Sequence, residues 1–124
     1  LTYPASSEYV ISVGSTNNSD ALSTYSNTGE GLDMVAPGER IPSLYPSGEV
    51  YYVSGTSMAA PHAAAVAGLL YSLRPAINVS DVKQALQQSA HDLGDAGYDQ
   101  KFGWGRLDAA AAVKLIANKT KTVK

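Results

Sequence analysis

The chain contains no cysteine. That excludes disulfides and thiolate metal sites, and it is compatible with either side of a bacterial membrane. Charge is sparse. Only 16% of the residues are charged, the formal net charge is −2 and the pI is about 5.5. No Lys/Arg stripe runs through the body, which excludes the usual footprint of a nucleic-acid binder. The one basic cluster, "NKTKTVK", comes last and reads as a solvated tail over 117–124. The longest apolar run, Met58 to Leu73, is broken by Pro61, His62 and Ser72, too short and interrupted for a membrane span. Histidine is scarce: His62 and His91 are the only two. The chain starts at Leu1 rather than Met and carries no signal-peptide pattern, so a processed or cut product is expected.

What is present is ordinary globular material. The 124 residues suffice for one small domain with a modest core, and 44% of them are hydrophobic. "EYVISVG", Glu8 to Gly14, is β-branched and ends at glycine, so it predicts a buried strand. Ser15 to Gly31 is polar and rich in turn formers and predicts loop or edge structure. Two short strands are expected at Leu32–Val35, stopped by Pro37-Gly38, and at Glu49–Val53. Three helices follow. One starts near Thr56, one is capped by Ser80 with Val82, Leu86 and Ala90 on one face, and one is capped by Asp108. Strands alternating with helices predict the α/β class. Three N-x-S/T triplets, at Asn17, Asn78 and Asn118, are common by chance and carry little weight.

The stretch "VSGTSMAAPHAAAVAGLL", Val53 to Leu70, carries the chemistry. A strand ends at Val53, Gly55 permits a sharp turn, and Thr56 as N-cap puts Ser57 at the first helical position. Free N–H groups and the helix dipole favour negative charge there. The N–H of Ser57 is placed to stabilise the oxyanion formed when its own hydroxyl attacks a carbonyl. The alanine-rich helix is apolar all round, which predicts burial and a rigidly held first turn. Pro61 removes one backbone donor about one turn in. Most serines at helix starts only cap the helix, and this remains the plain alternative. Two other serine motifs fail: no Lys precedes the Ser, as a P-loop requires, and Ala59 stands where G-x-S-x-G needs glycine.

The longer string "GTSMAAPHAAAVAGLL" resembles the serine-nucleophile motif of the subtilases, the subtilisin-like serine proteases. "YPASSEYVISVGS", "YSNTGEGLDMVAPG" and "GWGRLDAAAAV" resemble three further family segments, in family order, from Tyr3 to about Val113. The resemblance implies part of a subtilisin-like fold: a parallel sheet flanked by helices, with a buried central helix starting at the nucleophile. Residues 1–116 would be the C-terminal portion of the catalytic domain. It also implies endopeptide hydrolysis by acyl transfer to Ser57, with Gly55, Thr56 and Met58 around the nucleophile. Val53 and Ser54 would line the leaving-group side of the cleft. Thr2 and Tyr3, at a cis-proline turn, would stand beside the specificity pocket. No cofactor is implied for the chemistry. Backbone carbonyls of Ala5, Ser7 and Val10, with Asp33 nearby, would hold a structural calcium or monovalent cation, since hard ions take oxygen ligands.

The chain departs from the family where the base should be. The family's Asp, His and oxyanion Asn all lie upstream of the serine. Here the 56 residues before Ser57 contain no histidine and only two aspartates, Asp20 and Asp33, which match other family segments. His62, five residues on, points about 140° away from Ser57 around a helix. It is expected to be a core histidine, and His91 to cap a helix end. A Ser57, Asp81, His91 order can be drawn, but its spacings are too short for the elements between them. Without a base the serine is a poor nucleophile, so this chain alone is expected to be inactive. The partner implied is an N-terminal fragment of the same protease, generated by self-processing, by a split gene or by truncation. The other partner is a peptide or protein substrate. The resemblance implies secretion or a cell-envelope location, with an intracellular one as the alternative, since the family has intracellular members. The competing class is a silent subtilase-like module that binds peptides or a partner without cutting. "DLGDAGYDQ" lacks the glycine placement and terminal Glu of an EF-hand and reads as a polar turn.

Overall fold

The computed structural model describes the backbone of residues 1–121 and the side chains of residues 1–118. Four strands and three helices follow in order: β1 Val13–Thr16, β2 Met34–Pro37, β3 Ile41–Leu44, β4 Val50–Val53, α1 Thr56–Leu73, α2 Val79–Ser89 and α3 Ala109–Lys121. β1 and β2 pair in parallel, Val13 opposite Met34 through Thr16 opposite Pro37. β3 and β4 form a separate antiparallel hairpin, with Ile41 opposite Val53. The α/β class and the parallel pairing follow the sequence expectation.

The element boundaries differ from it for local reasons. The Glu8–Gly14 strand begins only at Val13, because Ser7 and Val10 N–H groups turn back onto the Pro4 and Ser7 carbonyls, at 3.0 and 3.1 Å. The Leu32–Val35 strand moves to Met34–Pro37. Its predicted start is drawn off by Ser12, whose hydroxyl accepts the Asp33 N–H at 2.8 Å. β3, unforeseen, contains Pro42 at a two-stranded edge where one lost donor is tolerable. Asn78, not Ser80, caps α2: its side chain accepts the Asp81 N–H at 2.7 Å and donates to the Asp81 carboxylate at 2.8 Å. Asp108 does cap α3, accepting the Ala111 N–H at 2.8 Å. α3 runs into the expected tail as far as Lys121, and residues 122–124 lie outside the described residues.

Helices α1, α2 and α3 gather on one side of β1 and β2. Met34, Val66, Leu70, Ile77, Val82, Leu86, Ala112 and Ile116 form the shared core. The segment 103–107 extends this layer. Val35 N–H donates to the Gly105 carbonyl at 3.0 Å and Leu107 N–H to the Val35 carbonyl at 2.9 Å. His91 and Arg106 then exchange backbone bonds of 2.7 and 2.8 Å. This fixes His91 beside Arg106, and the C-cap of α2 falls on Ala90 instead. The Arg106 guanidinium grips the Asp20 carboxylate at 2.6 and 2.8 Å, tying the polar loop to the same layer.

α1 is not buried all round. Ala59, Ala63, Val66 and Leu70 are buried, but Ala60, Ala64, Ala65, Gly68 and Leu69 are exposed. These residues build only one covering layer, so the other side of an apolar helix is bare. The hairpin is likewise exposed at Leu44, Tyr45, Val50, Tyr51 and Tyr52.

Among the described residues, Thr16 Oγ1 is the one buried side-chain oxygen or nitrogen with no hydrogen-bond partner. Leaving a buried hydroxyl unpaired costs about 1–3 kcal/mol. Thr16→Val keeps the shape and removes that cost. Its expected effect in urea denaturation of the protein is an unfolding free energy unchanged or raised by about 1 kcal/mol. A large loss would mean the hydroxyl has a partner.

Candidate active site

Ser57 is exposed, in the first turn of α1, two residues after the N-cap. The cap is Gly55 rather than Thr56, so Ser57 is the second helical residue, not the first. The reason lies in the Gly55 backbone, at φ 156° and ψ 159°, a region essentially open to glycine only. No side chain caps α1, and the first backbone turn closes tightly, Met58 N–H to the Gly55 carbonyl at 2.9 Å. The outward N–H of Ser57 is therefore left for a ligand, at the positive end of an 18-residue helix. A Cβ built on Gly55 would sit 3.7 Å from the Ser57 nitrogen, in the approach to that donor.

The start of α1 is anchored from below. Gly55 N–H donates to the Gly38 carbonyl at 2.8 Å, and Gly38 N–H to the Thr16 carbonyl at 3.0 Å. Gly38 has no room for a side chain: a Cβ would come within 2.2 Å of Ser15 Oγ and 2.8 Å of the Gly55 carbonyl oxygen. The Tyr25 hydroxyl also donates to the Gly38 carbonyl at 3.0 Å, and Ser15 Oγ lies 2.8 Å from Ser23 Oγ and 3.3 Å from Tyr25 OH. The polar composition of Ser15 to Gly31 predicts loop or edge structure and does not reveal this hydroxyl cluster. The repeated serines were its only visible signal.

The other expected residues fall around Ser57 as follows. Val53 closes β4 against Ile41. Ser54 is exposed and accepts the Arg40 N–H at 2.9 Å, which closes the base of the hairpin. Thr56 and Thr2 line one cavity of about 170 Å³, together with Leu1, Ala5, Val13, Tyr25 and Asn27. Tyr3 heads the cis Tyr3-Pro4 bond and is 85% exposed, outside that cavity. Met58 is half-buried. His62 is also half-buried and its Nδ1 donates to the Met58 carbonyl at 2.8 Å, within its own helix. It does not serve Ser57. Asp81 is spent on the α2 cap and His91 on its Arg106 pairing, so neither completes a triad.

The Ser7 and Val10 carbonyls and both Asp33 carboxylate oxygens, all expected to hold a cation, accept hydrogen bonds from protein donors. The Ser7 carbonyl accepts Val10 N–H at 3.1 Å. The Val10 carbonyl accepts Lys83 Nζ at 3.1 Å. Asp33 is buried; its Oδ2 takes the Ser12 N–H at 2.8 Å and Lys83 Nζ at 3.0 Å, and its Oδ1 takes Gln87 Nε2 at 2.8 Å. Ala5 lines the cavity near Thr56. Among the described residues no group of three or more His, Asp or Glu could hold a metal ion. As folded, the Lys83 ammonium already stands on the Val10 carbonyl and Asp33 Oδ2 of this donor set.

The Subtilase family model matches residues 1–105. The chain belongs to the subtilase family. It is 41% identical to the cell wall-associated protease of Bacillus subtilis, over 100% of this chain and 17% of that protein. It is 37% identical to subtilisin DY of Bacillus licheniformis, over 92% of this chain and 40% of that protein. A solved protease from Pseudoalteromonas arctica superposes with a TM-score of 0.83 at 30% identity, covering 92% of this chain and 38% of the other. A lanthipeptide protease superposes at 0.84 and 28% identity, over 91% and 44%. The chain thus spans less than half of each subtilase compared, and its α/β layer is part of a larger fold.

Gly55→Ala is expected to lower the unfolding free energy of the protein by about 1–3 kcal/mol, the cost of forcing a side chain into this backbone region. Chemical denaturation measures it. An unchanged midpoint would show that the turn relaxes freely and does not fix α1.

Proposed function

We propose that this subtilase chain carries the nucleophile of a serine endopeptidase, with Ser57 acylated by the substrate. The observation that carries the proposal is an exposed serine at the uncapped start of a helix locked to β2 through Gly55 and Gly38. The sequence from the Ser57 hydroxyl is ordinary acyl transfer. Its oxygen attacks the scissile carbonyl and its proton passes to a base. The Ser57 N–H then donates to the oxyanion as one half of the hole. Collapse releases the amine with that proton, and water hydrolyses the acyl-enzyme. Thr2, Thr56 and their shared cavity are proposed to receive the substrate residue before the cut bond. Val53 and Ser54 would meet the residue after it.

The base, its orienting carboxylate and the second oxyanion donor are proposed to come from an N-terminal part of the same catalytic domain. Two observations support this. The described residues place no free histidine near Ser57, since His62 is turned onto Met58. The bare apolar side of α1 and the exposed tyrosines of the hairpin also form the kind of surface that a second layer covers. The substrates are peptides or proteins. A location outside the cytoplasm is proposed from relatives named as cell wall-associated and extracellular proteases.

Ser57→Ala in the assembled protease is expected to reduce kcat by about 10⁶-fold, a magnitude carried over from subtilisin, itself a member of the family. Hydrolysis of a chromogenic peptide measures it. Full activity in the variant would exclude Ser57 as nucleophile. No activity in the parent protein would favour the silent binding module.

A further inference from the structure

The same Asp33 cluster has a second feature. Lys83 lies on α2, yet its ammonium reaches across to the chain near the N-terminus. It sits 3.1 Å from the Val10 carbonyl oxygen and 3.0 Å from Asp33 Oδ2. It therefore touches one of the backbone oxygens and the one carboxylate that a cation would need in this loop. Gln87, one helical turn further along α2, holds the remaining carboxylate oxygen at 2.8 Å. Ser12 completes the shell: its N–H donates to Asp33 Oδ2 at 2.8 Å and its hydroxyl donates to the Gly31 carbonyl at 2.8 Å. Asp33 is 5% exposed, and a buried carboxylate requires both charge compensation and hydrogen bonds.

We propose that the Lys83 ammonium is the resident cation of this loop, standing in for a bound metal ion. An ammonium offers three donors and one positive charge on a flexible stem. It satisfies a carbonyl and a carboxylate oxygen at hydrogen-bond distance, as a monovalent cation would. A second cation within a few ångströms would meet strong repulsion in this partly buried setting. The segment Thr2–Val13, which carries the Tyr3-Pro4 turn and one wall of the cavity beside Thr56, is thereby tied to α2 by a hydrogen bond and an ion pair from a side chain of this chain rather than by an exchangeable ion. The order of this wall then does not depend on calcium or potassium. This inference is independent of the reaction proposed at Ser57, and its test does not read activity.

The test compares the assembled protease with Lys83→Met and Lys83→Arg. Metal content per chain is measured by mass spectrometry after equilibration with calcium, and Tm is followed with calcium, with potassium and with a chelator. Ion sites elsewhere in the assembly contribute equally to all three proteins. The expected result is one additional ion per chain in Lys83→Met, and a Tm that is lower in chelator and rises more steeply with added cation than the parent's. Lys83→Arg should follow the parent. Equal metal content and equal cation response in the parent and Lys83→Met would overturn the proposal. Should Lys83→Met not accumulate, terbium added to the parent protein decides, because Trp104 and Tyr98 line the same pocket as Lys83 and Asp33. Sensitised emission lost in Trp104→Leu would overturn the proposal; its absence upholds it.

Discussion

One hydrogen bond organises the site: the Gly55 N–H to the Gly38 carbonyl, 2.8 Å long. It joins the N-cap residue of α1 to the residue that follows β2. Everything under it is packed to hold it. Gly38 is bare because Ser15 and the Gly55 carbonyl leave no volume for a Cβ. The Tyr25 hydroxyl shares the same acceptor oxygen and is itself seated against Ser15. Above it, the glycine-only backbone of Gly55 turns the chain into the helix and leaves the Ser57 N–H uncapped. A donor that awaits an oxyanion must be unsatisfied in the resting protein and must not move, and this arrangement meets both demands.

The same chain is only part of a two-sided structure. A parallel pair with helices on one side has edges and faces that a complete α/β fold would cover. The apolar residues left open on α1, and the tyrosines and leucine open on the hairpin, are the visible consequence. Coverage of 38% and 44% of the superposed proteases agrees with this reading. Asp33 is compensated by Lys83, Gln87 and Ser12, and Asp20 by Arg106, so both carboxylates are settled by residues of this chain.

The nucleophile motif was legible in the sequence because its signal is contiguous: strand, glycine, serine and helix within twenty residues. The α/β class and the Asp108 cap were readable for the same reason, since each rests on neighbours along the chain. The strand positions were less so. Ser12 and Asp33 are 21 residues apart, and their hydrogen bond draws off the predicted start of the second strand in a way no local propensity encodes. Lys83 and Val10 are 73 residues apart, so the chain's own cation was invisible where three carbonyls and an aspartate suggested a metal. The all-round apolar pattern of α1 predicted burial on every side, and the helix is buried along one face only, with Ala60, Ala64, Ala65, Gly68 and Leu69 exposed.

The most direct measurement is intact mass after treatment with a fluorophosphonate serine probe, on this chain alone and on the chain assembled with the rest of its catalytic domain. The account predicts stoichiometric labelling at Ser57 in the assembly and none in the isolated chain, because the hydroxyl is held in place but has no base. Labelling of the isolated chain would contradict the claim that the proton acceptor comes from elsewhere.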